Sequence, residues 1–365
     1  MTTNRLSGNA RKDRCIEDRL SEEEVIALIR RRIPSSPDGT LRLGIGDDAA
    51  ILRPAAGTQW VVTTDQFLEN VHFRADTHPP EVVGYKALAR ATSDLAAMGA
   101  RPRVFLLSLA LSRSRTGAWL DAVSAGMGRA AREFHLRLAG GDTAQNPAAS
   151  TMTSFSLTVI GDIKTGHAVR RDTAHRGDAI FVTGTLGGAQ LGLHLLLHPA
   201  SEKHEISPER RRRLLAKQFY PRPRLELGCW LARLRLASAM MDLSDGLSTD
   251  LARLCGASRV GARLYENDIP GVAVPPELRE ARVGKASRGE SLETPRSLAL
   301  HGGEDYELLF TVRPEDVSRI PSAFRGTRIT RIGEIVPSRE ITLVAANGRA
   351  SRLESGGWDH FRNRR

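Results

Sequence analysis

Six short segments of this chain set an acidic residue beside glycine or a small hydroxyl residue. They are Gly44-Ile45-Gly46-Asp47-Asp48, Thr63-Thr64-Asp65, Ser93-Asp94, Gly140-Gly141-Asp142-Thr143, Asp242-Leu243-Ser244-Asp245-Gly246 and Gly302-Gly303-Glu304-Asp305. Any one of them has an ordinary explanation, since an aspartate before a helix is usually a cap and Gly-Gly-Asp a tight turn. Folding alone does not require six such segments, and the sequence places them at strand ends and helix starts, where side chains converge. Clustered carboxylates repel one another unless cations neutralise them. Oxygen donors without accompanying His or Cys favour a hard cation, Mg²⁺ before Zn²⁺. Magnesium keeps waters and shares phosphate oxygens, so several carboxylates point to a polyphosphate substrate and to phosphoryl transfer.

Two common routes to that chemistry are missing. The sequence has no GxxxxGK[ST] loop and no HRDxxxxN paired with DFG. Gly184-Thr185-Leu186-Gly187-Gly188 sits between a strand and a helix, but its spacing is wrong for a dinucleotide fingerprint and fits a close-packed turn.

The positioning elements alternate. Ser21-Glu22-Glu23-Glu24 opens an amphipathic helix that Pro34 and the Ser35–Gly39 turn end. Strands are expected over 58–69, 103–111, 136–144 and 150–163, with helices over 79–102 and 116–134. A second unit begins at Arg176-Gly177-Asp178, with a strand, glycine turn and helix over 179–197. Further helices follow at 224–234 and after Asp245, and a strand follows Gly302-Gly303. The order predicts an α/β protein of the α+β type, with mixed sheets in two domains joined near residues 165–175. The expected division is a flexible basic tail at 1–20, a metal- and ATP-binding domain at 21–168, and a domain at 169–365 that completes the site. Residues 274–297 are polar and Pro/Gly-punctuated and read as a mobile insertion.

The 365 residues carry a net charge of +11, and only six of the 53 basic residues are lysines. Arg30–Arg32 and Arg210–Arg213 cluster, but neither run has aromatic stacking residues, a zinc finger or a basic heptad, so nucleic-acid binding is not expected. The longest apolar stretches fall far short of a membrane span, and the N-terminus lacks the apolar region of a secretory signal. Cys15, Cys229 and Cys255 have neither disulfide nor zinc spacing, which suits a reducing cytoplasm.

The series GIGDDAAIL, TTDQFLENVHF, GYKALARATSDLAAMGARP, AGGDTA, FVTGTLG, MDLSDGLSTDL and HGGEDYELLFTV resembles thiamine-monophosphate kinases across residues 21–361. GDDA and GGD recur throughout the aminoimidazole ribonucleotide synthetase superfamily, with its selenophosphate synthetases and a hydrogenase maturation protein. SDLAAMGA, DLSDGL and GGEDYEL are particular to the thiamine enzymes. The resemblance implies a two-domain fold, a homodimer through the N-terminal domains, ATP in a cleft between domains, and several Mg²⁺ ions. It assigns metal positions to Asp48, Thr63, Thr64, Asp65, Asp94, Asp142, Asp242 and Asp245. It assigns nucleotide contacts to Gly141, Asp142, Arg171 and Ser244, with Arg170 exchangeable for Arg171 by a one-residue slip. His72, Glu304 and Trp358 fall at positions that meet thiamine monophosphate. Asp47 and Asp305 stand as caps or supporting partners.

The implied acceptor is a phosphate monoester with a second pKa of about 6, so it is already largely ionised at neutral pH. No general base is needed, and transfer is expected to be direct and in line. The main task is screening repulsion between polyphosphate and acceptor, with Asp245 and Arg171 as the expected catalytic residues. Trp358 would stack on the thiamine rings. His72 would bond the acceptor phosphate, and Glu304 would orient the aminopyrimidine or a bound water. The alternatives are another ATP-using member of the superfamily and, more remotely, a non-catalytic basic nucleic-acid-binding protein.

Overall fold

The computed structural model describes residues 20–147, 152–197, 206–275, 278, 294–358 and 361. The expected tail at 1–20, save Leu20, and most of the expected insertion lie outside these residues. The end of that insertion is ordered: Thr294 caps a short helix, Pro295–His301, by accepting from the Ser297 amide.

Helix α1 (Glu22–Arg32) starts as its sequence predicts. The Ser21 hydroxyl accepts from the Glu24 amide, while the Glu24 carboxylate accepts from Ser21 N at 2.7 Å. A two-stranded unit, β1 (Leu41–Leu43) and β2 (Ile51–Leu52), follows. The first large sheet contains β3 (Thr58–Leu68), β4 (Arg101–Leu111), β5 (Arg137–Gln145) and β6 (Ser154–Lys164), in the order β3-β6-β4-β5. Only β4 and β5 run parallel, because α3 (Ala118–Glu133) carries the chain back between them. Helices α2 (Pro80–Met98) and α3 cover one face of this sheet. They approach closely at two glycines: a Cβ on Gly84 would stand 1.9 Å from the Val123 carbonyl, and one on Gly126 1.9 Å from that of Glu81.

The second sheet is larger. Its strands are β7 (Ala179–Thr183), β8 (Ala237–Leu243), β9 (Gly261–Tyr265), β10 (Glu307–Val312), β12 (Thr327–Val336), β13 (Ile341–Val344) and β14 (Ala350–Arg352). They lie in the order β14-β13-β9-β12-β7-β10-β8, with the short β11 (Ala323–Phe324) beside β12. All its pairs are antiparallel except β13 with β9. Its helices are α4 (Gly188–Leu197), α5 (Pro208–Phe219), α6 (Leu225–Arg233), α7 (Leu247–Ser258) and α8, the Pro295–His301 helix. A continuous apolar core joins the two sheets, with Leu88 and Leu95 of α2 in the same cluster as Leu231 of α6, Met240 of β8 and Phe310 of β10. The architecture is the expected α+β type with mixed sheets.

Three acidic segments are not at element ends. Thr63-Thr64-Asp65 is mid-strand, because β3 pairs with β6 without interruption from Thr58↔Lys164 to Leu68↔Ser154. Gly140-Gly141-Asp142 lies within β5, where a Cβ on Gly141 would stand 1.9 Å from the Leu107 carbonyl. The glycine there serves close strand approach and not a turn. Ser93-Asp94 lies toward the end of α2. By contrast, Gly184–Gly188 is the expected packed turn: Gly187 has φ 84° and its Cβ would meet Leu298 C at 2.6 Å.

Candidate active site

Where the two sheets meet, a cavity of about 310 Å³ is lined by Asp65, Asp94, Asp242, Asp245, Glu304 and Trp358, with His72 and Ser244 beside them. These residues come from β3, α2, the β8–α7 turn, the loop before β10, and the C-terminal segment. Strand alternation sends Thr63 and Asp65 to this side of the sheet. The Thr63 hydroxyl donates to Asp94 Oδ2 at 2.5 Å. Asp242 ends β8 and is buried. Burial pushes its carboxyl pKa up to about 8, with Asp94 adding to the rise and Asp250 and Asp65 contributing further.

The β8–α7 turn is fixed by Asp250, which accepts from the Asp245 and Gly246 amides at 2.9 and 3.1 Å. Arg253 bridges Asp245 and Asp250. The C-terminal segment closes over this turn: Trp358 N donates to the Asp245 carbonyl, and Gly357 N to Thr249 Oγ1, each at 3.0 Å. His72 is folded into its own loop, accepting through Nδ1 from the Leu68 amide at 2.9 Å.

Helix α2 runs beneath the cavity and carries Lys86, Arg90 and Asp94 at successive i, i+4 positions, one stripe on an otherwise apolar, buried helix. Lys86 is 1% exposed in its side chain and donates to Glu304 Oε2 at 2.9 Å. Gln218 of α5 donates to the same oxygen, also at 2.9 Å. Burial alone would push the Glu304 pKa up, but Lys86 and then Arg90 bring it down to about 2. Glu304 and Tyr306 both hold left-handed backbone, φ 68° and 50°. The Glu304 carboxylate thus ties the loop of one domain to the helix of the other. Asp305 points away and accepts from the Gly187 and Ala189 amides at 2.5 and 3.1 Å, the supporting role read for it in the sequence.

Other expected site residues gather elsewhere. Asp47, Asp48, Gly141 and Asp142 line a shallow groove of about 850 Å³ on the opposite face of the first sheet. Thr64 faces that side, accepting from Thr158 Oγ1 at 3.2 Å. Asp48 and Asp142 are exposed. Arg171 is also exposed and lines neither cavity; its carbonyl accepts from Ser258 Oγ at 2.9 Å. Arg170 pairs with Asp172.

The donors fit Mg²⁺ by type, being carboxylate and hydroxyl oxygens. Among the described residues no Lys or Arg forms an ion pair with Asp94 or Asp242. Also among the described residues, no three acidic or His/Cys side chains close into a ready metal cluster. A cation here would therefore need further oxygens from phosphate or water, which is the coordination Mg²⁺ prefers. No helix among the described residues is long and apolar enough to cross a membrane.

Residues 46–163 match the AIR synthase related protein N-terminal domain, and residues 175–346 match its C-terminal domain. A thiamine-monophosphate kinase of Synechococcus elongatus is 33% identical over 356 residues, covering 96% of this chain and 98% of that protein. The chain belongs to this family. The thiamine-monophosphate kinase of Bacillus subtilis is 34% identical over 88% of this chain and 94% of its own length. The crystal structure of a thiamine-monophosphate kinase from Stenotrophomonas maltophilia superposes with TM-score 0.71 at 34% identity, covering 90% of this chain and 96% of that one. A structure described as AaThiL complexed with AMPPCP and TMP gives 0.68 at 30% identity, over 93% and 97% of the two chains. A hydrogenase maturation protein HypE shares the fold at 21% identity. Lys86, Arg90, Gln218 and Arg253 were missed in the sequence reading. The signal for the first two was there: two cations four residues apart on an apolar helix are anomalous.

Proposed function

We propose that this protein transfers the terminal phosphoryl group of ATP to thiamine monophosphate, giving thiamine diphosphate and ADP. The observation that carries the reading is the near-full-length relationship to thiamine-monophosphate kinases, one of which is described in complex with AMPPCP and TMP. The cleft suits it: Trp358 offers an aromatic face to the thiamine rings and His72 a polar edge, while Asp65, Asp94, Asp242 and Asp245 line the same cavity.

Within this reading Asp65, Asp94, Asp242 and Asp245, with Thr63, hold Mg²⁺ in the cleft. Asp48, Asp142 and Thr64 keep their assigned metal roles and Gly141 its nucleotide contact from the groove, while direct transfer requires the terminal phosphate of ATP to enter the cleft beside the acceptor. Mg²⁺, when bound, supplies charge screening between the anionic donor and acceptor. The protein's own part is to orient. Thr63 steadies Asp94, Asp250 and Arg253 steady Asp245, and Lys86 and Gln218 fix Glu304, which shapes the wall beside the acceptor. No side chain needs to remove a proton from an ionised phosphate, so Asp245 acts by charge and not as a base. Ser244 keeps its assigned place beside the nucleotide, and Arg171 is reserved for a charge-screening role from outside the cavity.

A homodimer through the N-terminal domains is part of the proposal. Val62 is 59% exposed on the open face of β3, and β3 is a long sheet edge of the kind proteins usually cover. Cytoplasmic residence rests on the cysteine spacing, with Cys229 and Cys255 free. The deciding experiment incubates the protein with Mg-ATP and thiamine monophosphate. Equal amounts of thiamine diphosphate and ADP are expected; turnover of a different phosphorylated acceptor instead would replace the assignment. Sedimentation at micromolar concentration should give twice the chain mass, and a monomer there would remove the dimer.

A further inference from the structure

Arg90 lies in the cleft and is absent from the carboxylate series. It stands one turn before Asp94 on α2, so both side chains leave the helix on one face. Its side chain is 12% exposed, and its guanidinium sits 5.4 Å from the Phe67 ring centroid, which holds the planar group in place. The Nε atom is 3.6 Å from Asp65 Oδ2, an ion pair beyond hydrogen-bond reach. Both Nε and Nη1 are buried without a hydrogen-bond partner. Burial weakens the charged form of Arg90, yet Tyr306, Asp65, Glu304 and Asp245 keep it protonated.

Buried donors without acceptors are rare in native proteins, and beside a cavity they call for an explanation such as a bound ligand or ion. Arg90 is the one Lys or Arg among the described residues that line this cavity. Its other walls are carboxylates on one side and Val71, His72, Leu193 and Trp358 on another. Arg90 is therefore the one fixed positive charge that an anion entering there meets among the described lining residues. A fixed guanidinium with unpartnered N–H groups is suited to donate to phosphate oxygens.

We propose that Arg90 binds the phosphate of the acceptor monoester and so fixes the oxygen that receives the phosphoryl group, an inference that rests on the kinase reading above. The acceptor phosphate is preferred over that of ATP because Arg90 shares its cavity with His72 and Trp358, the two groups read as meeting thiamine monophosphate.

The test compares the wild type with Arg90→Met and Arg90→Lys by calorimetry without ATP, using thiamine monophosphate and unphosphorylated thiamine. Arg90→Met should bind thiamine monophosphate about 10- to 100-fold more weakly, the loss expected for a charge-assisted hydrogen-bond pair. Thiamine affinity should change less than about twofold, since it carries no phosphate for the missing group. Arg90→Lys should recover part of the loss, keeping charge but not the fork. In turnover, KM for thiamine monophosphate should rise while KM for ATP holds. Equal weakening of both ligands would overturn the proposal and leave Arg90 as charge balance for Asp65 and Glu304. A change confined to ATP would overturn it too. Urea unfolding shows whether Arg90→Met is folded; if it is not, Arg90→Lys and Arg90→Gln carry the same comparison. Inorganic phosphate separates the two readings. Binding of phosphate by the wild type that is lost in Arg90→Met supports the anion site even if thiamine monophosphate is not turned over, whereas equal phosphate affinity in both sinks it.

Discussion

The cleft and the groove lie on opposite faces of one four-stranded sheet and treat their acids differently. In the cleft, Asp242 is buried, the other acids are half-buried, and most are fixed: Glu304 by Lys86 and Gln218, Asp245 by Arg253, Asp94 by Thr63. In the groove, Asp48 and Asp142 are exposed on a short turn and a strand. Water screens the groove acids at little cost, while the cleft acids depend on partners in a poorly solvated place. Rigid geometry therefore belongs to the cleft, where the acceptor must be aligned, and adaptable charge to the groove. A substitution in the cleft should disturb folding and function together, and one in the groove should touch function alone.

The largest expected effect is at the interdomain pair. Lys86→Met should leave the Glu304 carboxylate without its buried cation and destabilise the fold by about 3–5 kcal/mol, measured by urea unfolding. A loss below about 1 kcal/mol would mean that Arg90 and Gln218 suffice.

Asp242→Asn comes next and should split the two properties within the cleft. Activity should fall by at least about 100-fold, or ~2.7 kcal/mol, because a charged oxygen donor is gone. Stability without magnesium should hold or rise, since a buried carboxylate beside Asp94 is relieved. Marked destabilisation would show that the carboxylate is held by contacts and not merely tolerated.

Asp142→Asn should raise the KM for ATP about 10-fold, or ~1.4 kcal/mol, and leave unfolding within ~0.5 kcal/mol. A large stability change there would erase the contrast between the two faces.

The smallest effect concerns pH. The Asp242 pKa is raised from 3.8 to about 8, so the folded state holds a proton that the unfolded chain has released. Its contribution is present at low pH and fades as pH rises from about 4 to about 8. Magnesium favours the carboxylate, so it should raise Tm more at pH 8.5 than at pH 6.5, by about 2–4 °C. An equal shift at both values would remove Asp242 from the metal set.

Much of this was legible in advance. The α1 and α2 helices, the turn at Gly184–Gly188 and the turn positions of Asp245 and Glu304 follow from capping, proline and glycine chemistry, which acts locally. The misplacements share a cause. Thr63–Asp65 and Gly140–Asp142 carry turn-like residues and read as element ends, although the expected strands 58–69 and 136–144 span them; pairing across the sheet fixes them in mid-strand. The Lys86–Glu304 contact joins residues 218 positions apart, so no local rule reaches it.

The alternation of β3 has a consequence for how the gene tolerates change. Thr63 and Asp65 serve one chamber and Thr64 the other, separated only by strand parity. Deleting one residue between Thr58 and Thr63 would turn the strand over and exchange both sets at once. Length variation should therefore accumulate in the exposed turn at 53–57 that precedes β3, where added residues leave that parity untouched.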